Sequence, residues 1–191
     1  MTPEMRRVVA EAETAARNGW SDEAVKSLTE AVRELRCDAD EVARLLALPV
    51  ADHGFREEVF TTDPAFHASV FALAKGETIP LHDHPALDVI SKVLCGRMRV
   101  RTYEWIDESS RIARDCGEVV LAPDDDALVL RKSPGTLHTV TAIEPTAFLD
   151  LFAPYYDDES RPCTYYKAAG ANNHVQLRVV SWEEAREEAR Q

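Results

Sequence analysis

The chain has 191 residues, 45% of them hydrophobic, enough to bury a full core in one domain. No run approaches the roughly 20 apolar residues of a membrane-spanning helix. A net charge of −12 disfavours phosphate backbones and anionic membrane surfaces, so neither nucleic acid nor a membrane is expected as a partner; a monomer is expected.

The N-terminal stretch MTPEMRRVVAEAE carries charge on both sides of a short amphipathic pattern and lacks the apolar core of a secretory signal, which predicts a cytoplasmic location. Cys37, Cys95, Cys116 and Cys163 are widely spaced with no CxxC pair, the pattern of reduced thiols rather than of a disulfide framework. The acidic runs at 124–126, 157–159 and 183–188 read as solvated faces.

Residues 1–52 are predicted to be helical. Thr2-Pro3, Ser21 with Asp22-Glu23, and Asp38 with Glu41 are helix starts, while Gly19 and Pro49 mark ends. Val25, Leu28, Val32 and Leu35, then Val42, Leu45, Leu46 and Leu48, give each helix one apolar face to lay on something larger.

From residue 53 onward the pattern changes to short apolar runs, which predicts a mainly β unit over 53–191, a barrel or a sandwich. The runs are 68–73, 89–94, 98–103, 118–122, 127–131, 139–143 and 147–151, separated by turn signals at Asp63-Pro64, Lys75-Gly76, Cys95-Gly96, Cys116-Gly117 and Pro134-Gly135. A strand over 174–180 and a helix opened by Ser181 and running through 183–190 complete the chain.

Chemistry concentrates in Gly76-Glu-Thr-Ile-Pro-Leu-His82-Asp-His84-Pro85. Residues two apart in a strand face one side, so His82 and His84 can bind one ion together. His138, after Pro134-Gly-Thr-Leu, offers a third nitrogen, and three imidazoles with open positions suit Fe, Zn, Cu or Ni rather than Mg or Ca.

The spacing Gly-x5-His-x-His followed by Pro-Gly-x-x-His resembles the two half-motifs of the cupin superfamily, which implies a double-stranded β-helix, or jelly-roll barrel, with the N-terminal helices packed outside. Within that superfamily, Ile79-Pro-Leu-His-Asp-His-Pro85, Ser91-Lys-Val-Leu-Cys-Gly96, Tyr103-Glu-Trp105, Leu149-Asp-Leu-Phe-Ala-Pro-Tyr-Tyr156 and Arg161-Pro-Cys-Thr-Tyr-Tyr166 resemble the cysteamine dioxygenase and plant cysteine oxidase family. The resemblance implies Fe(2+) held by His82, His84 and His138, with Asp150 and Tyr156 lining the substrate pocket. It implies O2 and an aminothiol as substrates, either cysteamine or the N-terminal cysteine of a protein, with a sulfinate product and, in the protein case, oxygen sensing. It also raises a thioether between Cys163 and Tyr165, against the plainer reading of a buried thiol beside a buried ring.

Two alternatives stand beside this reading. Asp88 lies four residues after His84, where the general cupin motif has a ligating glutamate; as a fourth ligand it would turn the site to another dioxygenase or a metal-assisted isomerase, and short of the metal it would be a hydrogen-bond partner of a ligand. A non-catalytic cupin that binds a small ligand is the other class. Arg56 could meet a substrate carboxylate only if 55–60 line the barrel. His53, His67 and His174 read as surface or satisfied residues, and the alternating Arg97, Arg99 and Arg101 as a solvent-facing row paired with acids or, alternatively, a peptide-binding rim.

Overall fold

A computed structural model describes residues 2–51, 54–132, 136–157, 159–170 and 174–188. His53, the Pro134-Gly135 turn, Asp158 and the end of the predicted C-terminal helix lie outside the described residues.

Three helices come first: α1 (Pro3–Arg17), α2 (Asp22–Arg33) and α3 (Ala39–Leu46). Their starts follow the sequence signals, since Thr2, Ser21 and Asp38 each accept a hydrogen bond from the backbone N–H three residues on. Among the described residues eleven strands follow: β1 (Arg56–Asp63), β2 (Phe66–Leu73), β3 (Thr78–Asp83), β4 (Asp88–Cys95), β5 (Met98–Asp107), β6 (Ile112–Leu121), β7 (Leu128–Leu130), β8 (Thr136–Ala142), β9 (Thr146–Ala153), β10 (Tyr165–Ala169) and β11 (His174–Val180). Helix α4 (Trp182–Glu188) ends the described chain, opened by Ser181.

One sheet has the order β1-β2-β9-β4-β7, and the remaining six strands close on themselves in the order β10-β11-β6-β5-β8-β3. All the pairings are antiparallel. This is the expected jelly-roll, mainly β architecture with helices outside it.

Strand β9 is buried throughout because it has work on both faces. Its Ala147, Leu149 and Leu151 join Val8, Leu28, Val32 and Leu45 of the helices in one core, with Val70 of β2. The alternate residues Phe148, Asp150 and Phe152 face the interior of the barrel. The helices therefore cover the outside of the five-stranded sheet and leave its inner face to the cavity.

Two departures from the expected strands have local causes. Cys116-Gly117, read as a turn, lies inside β6: Arg101 pairs with Glu118 and Tyr103 with Asp115, so the two residues form a bulge, with Gly117 at φ 87 supplying the left-handed conformation. β3 carries a second bulge, because Ile79 pairs with Val140 but His82 with His138, an extra residue at Pro80-Leu81. Pro80 has no N–H to give the ladder, so the interruption falls where the pairing is already weakest.

Candidate metal centre

The β3 bulge positions the first histidine. It sets His82 directly across from His138 of β8, while Tyr165 of β10 pairs with His82 on its other side. It also frees the Pro80 carbonyl, which accepts from His82 Nδ1–H at 2.8 Å. His84 lies just past the end of β3, at a turn in which Leu87 N–H bonds back to its carbonyl and Ala86 takes a φ of 57. The Tyr156 hydroxyl accepts from His84 Nδ1–H at 2.6 Å and donates to the Asp83 carbonyl at 2.9 Å. Asp83 itself accepts from Thr164 N–H and the Tyr166 hydroxyl, tying the ligand segment to β10.

These outer hydrogen bonds decide what faces inward. A carbonyl only accepts, so the proton of His82 sits on Nδ1 and Nε2 is bare; the Tyr156 relay assigns His84 in the same way. His138 Nε2 lies 2.9 Å from His84 Nε2 and 3.2 Å from His82 Nε2. Burial holds all three rings well below the usual histidine range, His82 at about 4, with the neighbouring imidazoles adding to the effect at His84 and His138. Three buried, neutral imidazoles thus converge, two of them presenting lone pairs alone, so at most the single proton of His138 lies among the three nitrogens and a shared cation would take its place.

The spacing fits such an ion. With metal–nitrogen bonds of about 2.0–2.1 Å, two nitrogens are roughly 2.9 Å apart on an octahedral edge and about 3.4 Å apart in a tetrahedron. The two separations here fall between these values, and the three histidines are the only set of metal-type ligands found close together among the described residues.

His82 and His138 line a cavity of about 340 Å3, with His84 behind them. Asp150 and Tyr156 line it, as the resemblance implies, and so do Cys163 and Tyr165. Asp150 stands between Ser69 and Ser91 of the two flanking strands; it is 5% exposed, its Oδ1 has no hydrogen-bond partner among the described residues, and burial pushes its carboxyl up to about 7. Cys163 is a free thiol, pushed up to about 12 by burial, and it precedes β10 rather than lying within it.

Asp88 does not join the cluster. Its carboxylate accepts from Lys132 N–H at 2.9 Å and faces Arg131 Nε at 3.3 Å, tying β4 to the end of β7. Asp88 is the first residue of β4, directly after the turn, and its short side chain is spent on a neighbouring backbone, which corrects the four-ligand alternative. Arg56 is also turned away: its neighbours Phe55 and Glu57 face the cavity, whereas Arg56 pairs with Glu77 at 3.0 Å. Arg97, Arg99 and Arg101 pair with Glu144, Glu118 and Asp115, so the row is solvent-facing and acid-paired.

His67 overturns its sequence reading. It is 2% exposed and lines the cavity, with Nε2 3.4 Å from Glu57 Oε1 and its ring stacked on Tyr155. Its position gave a signal, since His67, Ser69 and Phe71 share the face of β2 opposite Ala68 and Val70, but nothing in the sequence says which face meets the cavity. Trp182 of α4 was also missed as a cavity residue, where it meets Phe55 and Tyr165 ring to ring, each at 5.0 Å.

A family model described as PCO_ADO matches residues 55–190, from the last residue before β1 through α4. The chain belongs to this family. Among curated relatives, plant cysteine oxidase 1 of Arabidopsis thaliana is 34% identical over 109 residues, covering 53% of this chain and 37% of that protein. A probable 2-aminoethanethiol dioxygenase of Dictyostelium discoideum is 29% identical over 163 residues, covering 78% of this chain and 73% of that protein. The human 2-aminoethanethiol dioxygenase is 32% identical over 138 residues, covering 57% and 50%. The chain spans less than half the length of the plant relatives it matches. Among solved structures, a cupin superfamily protein of Desulfitobacterium hafniense aligns at TM-score 0.42 and 15% identity, over 56% of this chain and 84% of that one. No helix among the described residues of this PCO_ADO protein is long and apolar enough to cross a membrane.

Proposed function

We propose that this chain is an iron(II)-dependent thiol dioxygenase that converts an aminothiol and O2 into a sulfinate. The observation that carries the reading is a three-imidazole cluster, without a carboxylate ligand, beside a cavity whose described lining holds a buried carboxylate with Oδ1 unpartnered and no lysine or arginine. His82, His84 and His138 would hold the ion. When bound, iron(II) supplies vacant positions where thiolate and O2 meet and a route for electrons from sulfur to oxygen.

The protein's own groups select the substrate. Asp150 Oδ1 accepts from the substrate's amine, a charge-assisted bond at a buried oxygen that has no other partner among the described residues. A free amino acid would bring a carboxylate as well, and Glu57 and Asp150 would repel it with no lysine or arginine among the described lining residues to receive it. Cysteamine, which has no carboxylate, and an N-terminal cysteine, whose carboxyl is tied up in an amide, both avoid that cost. The Tyr156 phenol, pushed well above its usual range by burial, stays protonated and keeps His84 in the ligating tautomer. Overall R–SH and O2 give R–SO2H: both oxygens end on sulfur, sulfur is oxidised, oxygen is reduced, and the thiol hydrogen is carried into the sulfinic acid. Acting on a protein N-terminus, the reaction would make a terminal group report on oxygen.

The test is oxygen uptake and product mass with iron-loaded protein offered cysteamine, cysteine and a peptide beginning with cysteine. Gain of two oxygen atoms on cysteamine or the peptide, and little on cysteine, is expected. No gain on any thiol would refute the assignment.

A further inference from the structure

The cavity holds a second buried acceptor that the proposed chemistry leaves unused. His67 Nδ1 is buried and, like Asp150 Oδ1, has no hydrogen-bond partner among the described residues. Its other nitrogen lies beside Glu57 Oε1, and a carboxylate oxygen accepts, so in the neutral imidazole the proton belongs on Nε2 and Nδ1 is the acceptor. Stacking on Tyr155 (centroids 4.2 Å, planes 13° apart) and a tilted contact with Phe152 at 5.6 Å hold the ring in place. A buried nitrogen fixed in this way needs a donor, and none of its described neighbours supplies one.

The location of His67 says what the donor belongs to. His67 is two residues from Ser69, the cross-strand partner of Asp150, so on the cavity face it sits one same-face strand step, about 6.4–6.8 Å, from the row of Asp150. An amine at Asp150 and the N–H of the following residue, roughly one extended residue of 3.3–3.6 Å apart, can span that step with a hydrogen bond at each end. A small aminothiol ends at its amine, whereas a cysteine residue continues into that peptide N–H. The cavity's aromatic walls, Phe152 and Tyr155 on one side and Tyr165 and Trp182 on the other, suit a flat amide between them.

We propose that His67, backed by Glu57, is the specificity residue that recognises the first peptide bond after an N-terminal cysteine, accepting its N–H at Nδ1. This rests on the thiol dioxygenase reading and adds the feature that separates a cysteinyl chain from a free aminothiol. His67→Phe keeps the ring contacts and removes the acceptor; His67→Gln restores an acceptor on a different frame.

The experiment uses the iron-loaded full chain and three substrates: cysteamine, a peptide beginning with cysteine, and its depsipeptide, in which an ester replaces that first amide and deletes the N–H. The wild-type protein should prefer amide over ester in kcat/KM by about three- to tenfold, the worth of one neutral hydrogen bond. That preference should vanish in His67→Phe, largely through KM, and return in part in His67→Gln. The peptide-to-cysteamine ratio should fall in step. Equal use of amide and ester by the wild-type protein overturns the proposal whatever the variants do, as does an amide preference that survives in His67→Phe. Absence of turnover on every thiol overturns it together with the reading it rests on, and turnover of cysteamine with none of the peptide overturns the His67 assignment alone.

Discussion

The Tyr156 hydroxyl lies 2.6 Å from His84 Nδ1, and through its own proton it reaches the Asp83 carbonyl. The residue after one ligand histidine thus helps to fix the tautomer of the next. Tyr156→Phe removes the hydroxyl and leaves the His84 proton unpartnered, while the ring still packs beside Phe152. Iron affinity should fall about 10- to 100-fold, the usual effect of losing a partner behind a metal ligand, with little change in the melting curve of the metal-free protein. Titration with iron(II) under anaerobic conditions checks this, and unchanged affinity would remove Tyr156 from the relay.

Loss of His138 is predicted to have a different effect on metal and on fold. His138→Ala should abolish iron retention and turnover, since two imidazoles no longer make a face, yet the barrel core comes from other residues and should persist. Elemental analysis and circular dichroism read the two effects separately, and full activity in this variant would sink the metal assignment.

Acid should destabilise the metal-free protein through the same three rings. Their folded-state values are depressed, so the unfolded chain binds protons first: the stability they contribute is present above about 6.5 and is lost as the pH falls towards the His82 value of about 4. Replacing His82 by glutamine should flatten the fall in melting temperature across that window.

For Asp150 the sign is opposite. Its carboxyl is raised to about 7, so the folded state holds the proton more tightly, and stability drops as the pH rises from the unfolded value near 3.8 through 7. Asp150→Asn should therefore gain melting temperature over the parent at pH 8 more than at pH 5. It should keep iron and lose use of an amine-bearing thiol by roughly 1.5–3 kcal/mol, the range for a hydrogen bond to a charged group. A parallel melting profile in variant and parent would contradict the burial of the charge.

Asp88 separates ligand from scaffold. Asp88→Asn should leave iron content unchanged and cost about 1–3 kcal/mol of stability, because a buried carboxylate that serves Lys132 N–H and Arg131 is replaced by a neutral group. A variant that lost its iron would return Asp88 to the metal.

Much of the architecture was legible in the sequence because local signals agreed with it. Caps at Thr2, Ser21 and Asp38 opened helices where expected, and 174–180 matched β11 residue for residue. His82 and His84 were legible from spacing, and His138 from its turn. What could not be read depended on distant pairing. β1 looked polar because only alternate residues face inward, and β10 was too short to register. His67 and Trp182 reach the cavity only because β9 and β10 bring their elements there, a fact about register and docking that no window of neighbouring residues contains.

Trp182 follows all the described strands, and α4 is held beside the cavity by the contacts of Trp182 with Phe55 and Tyr165 and by Arg186 donating to the Gly54 carbonyl at 3.1 Å. The end of the described chain thus completes the wall of a cavity whose histidines come from β3, the turn after it and β8, so cutting the chain before α4 would uncover Phe55 and Tyr165 without removing any strand that carries a histidine.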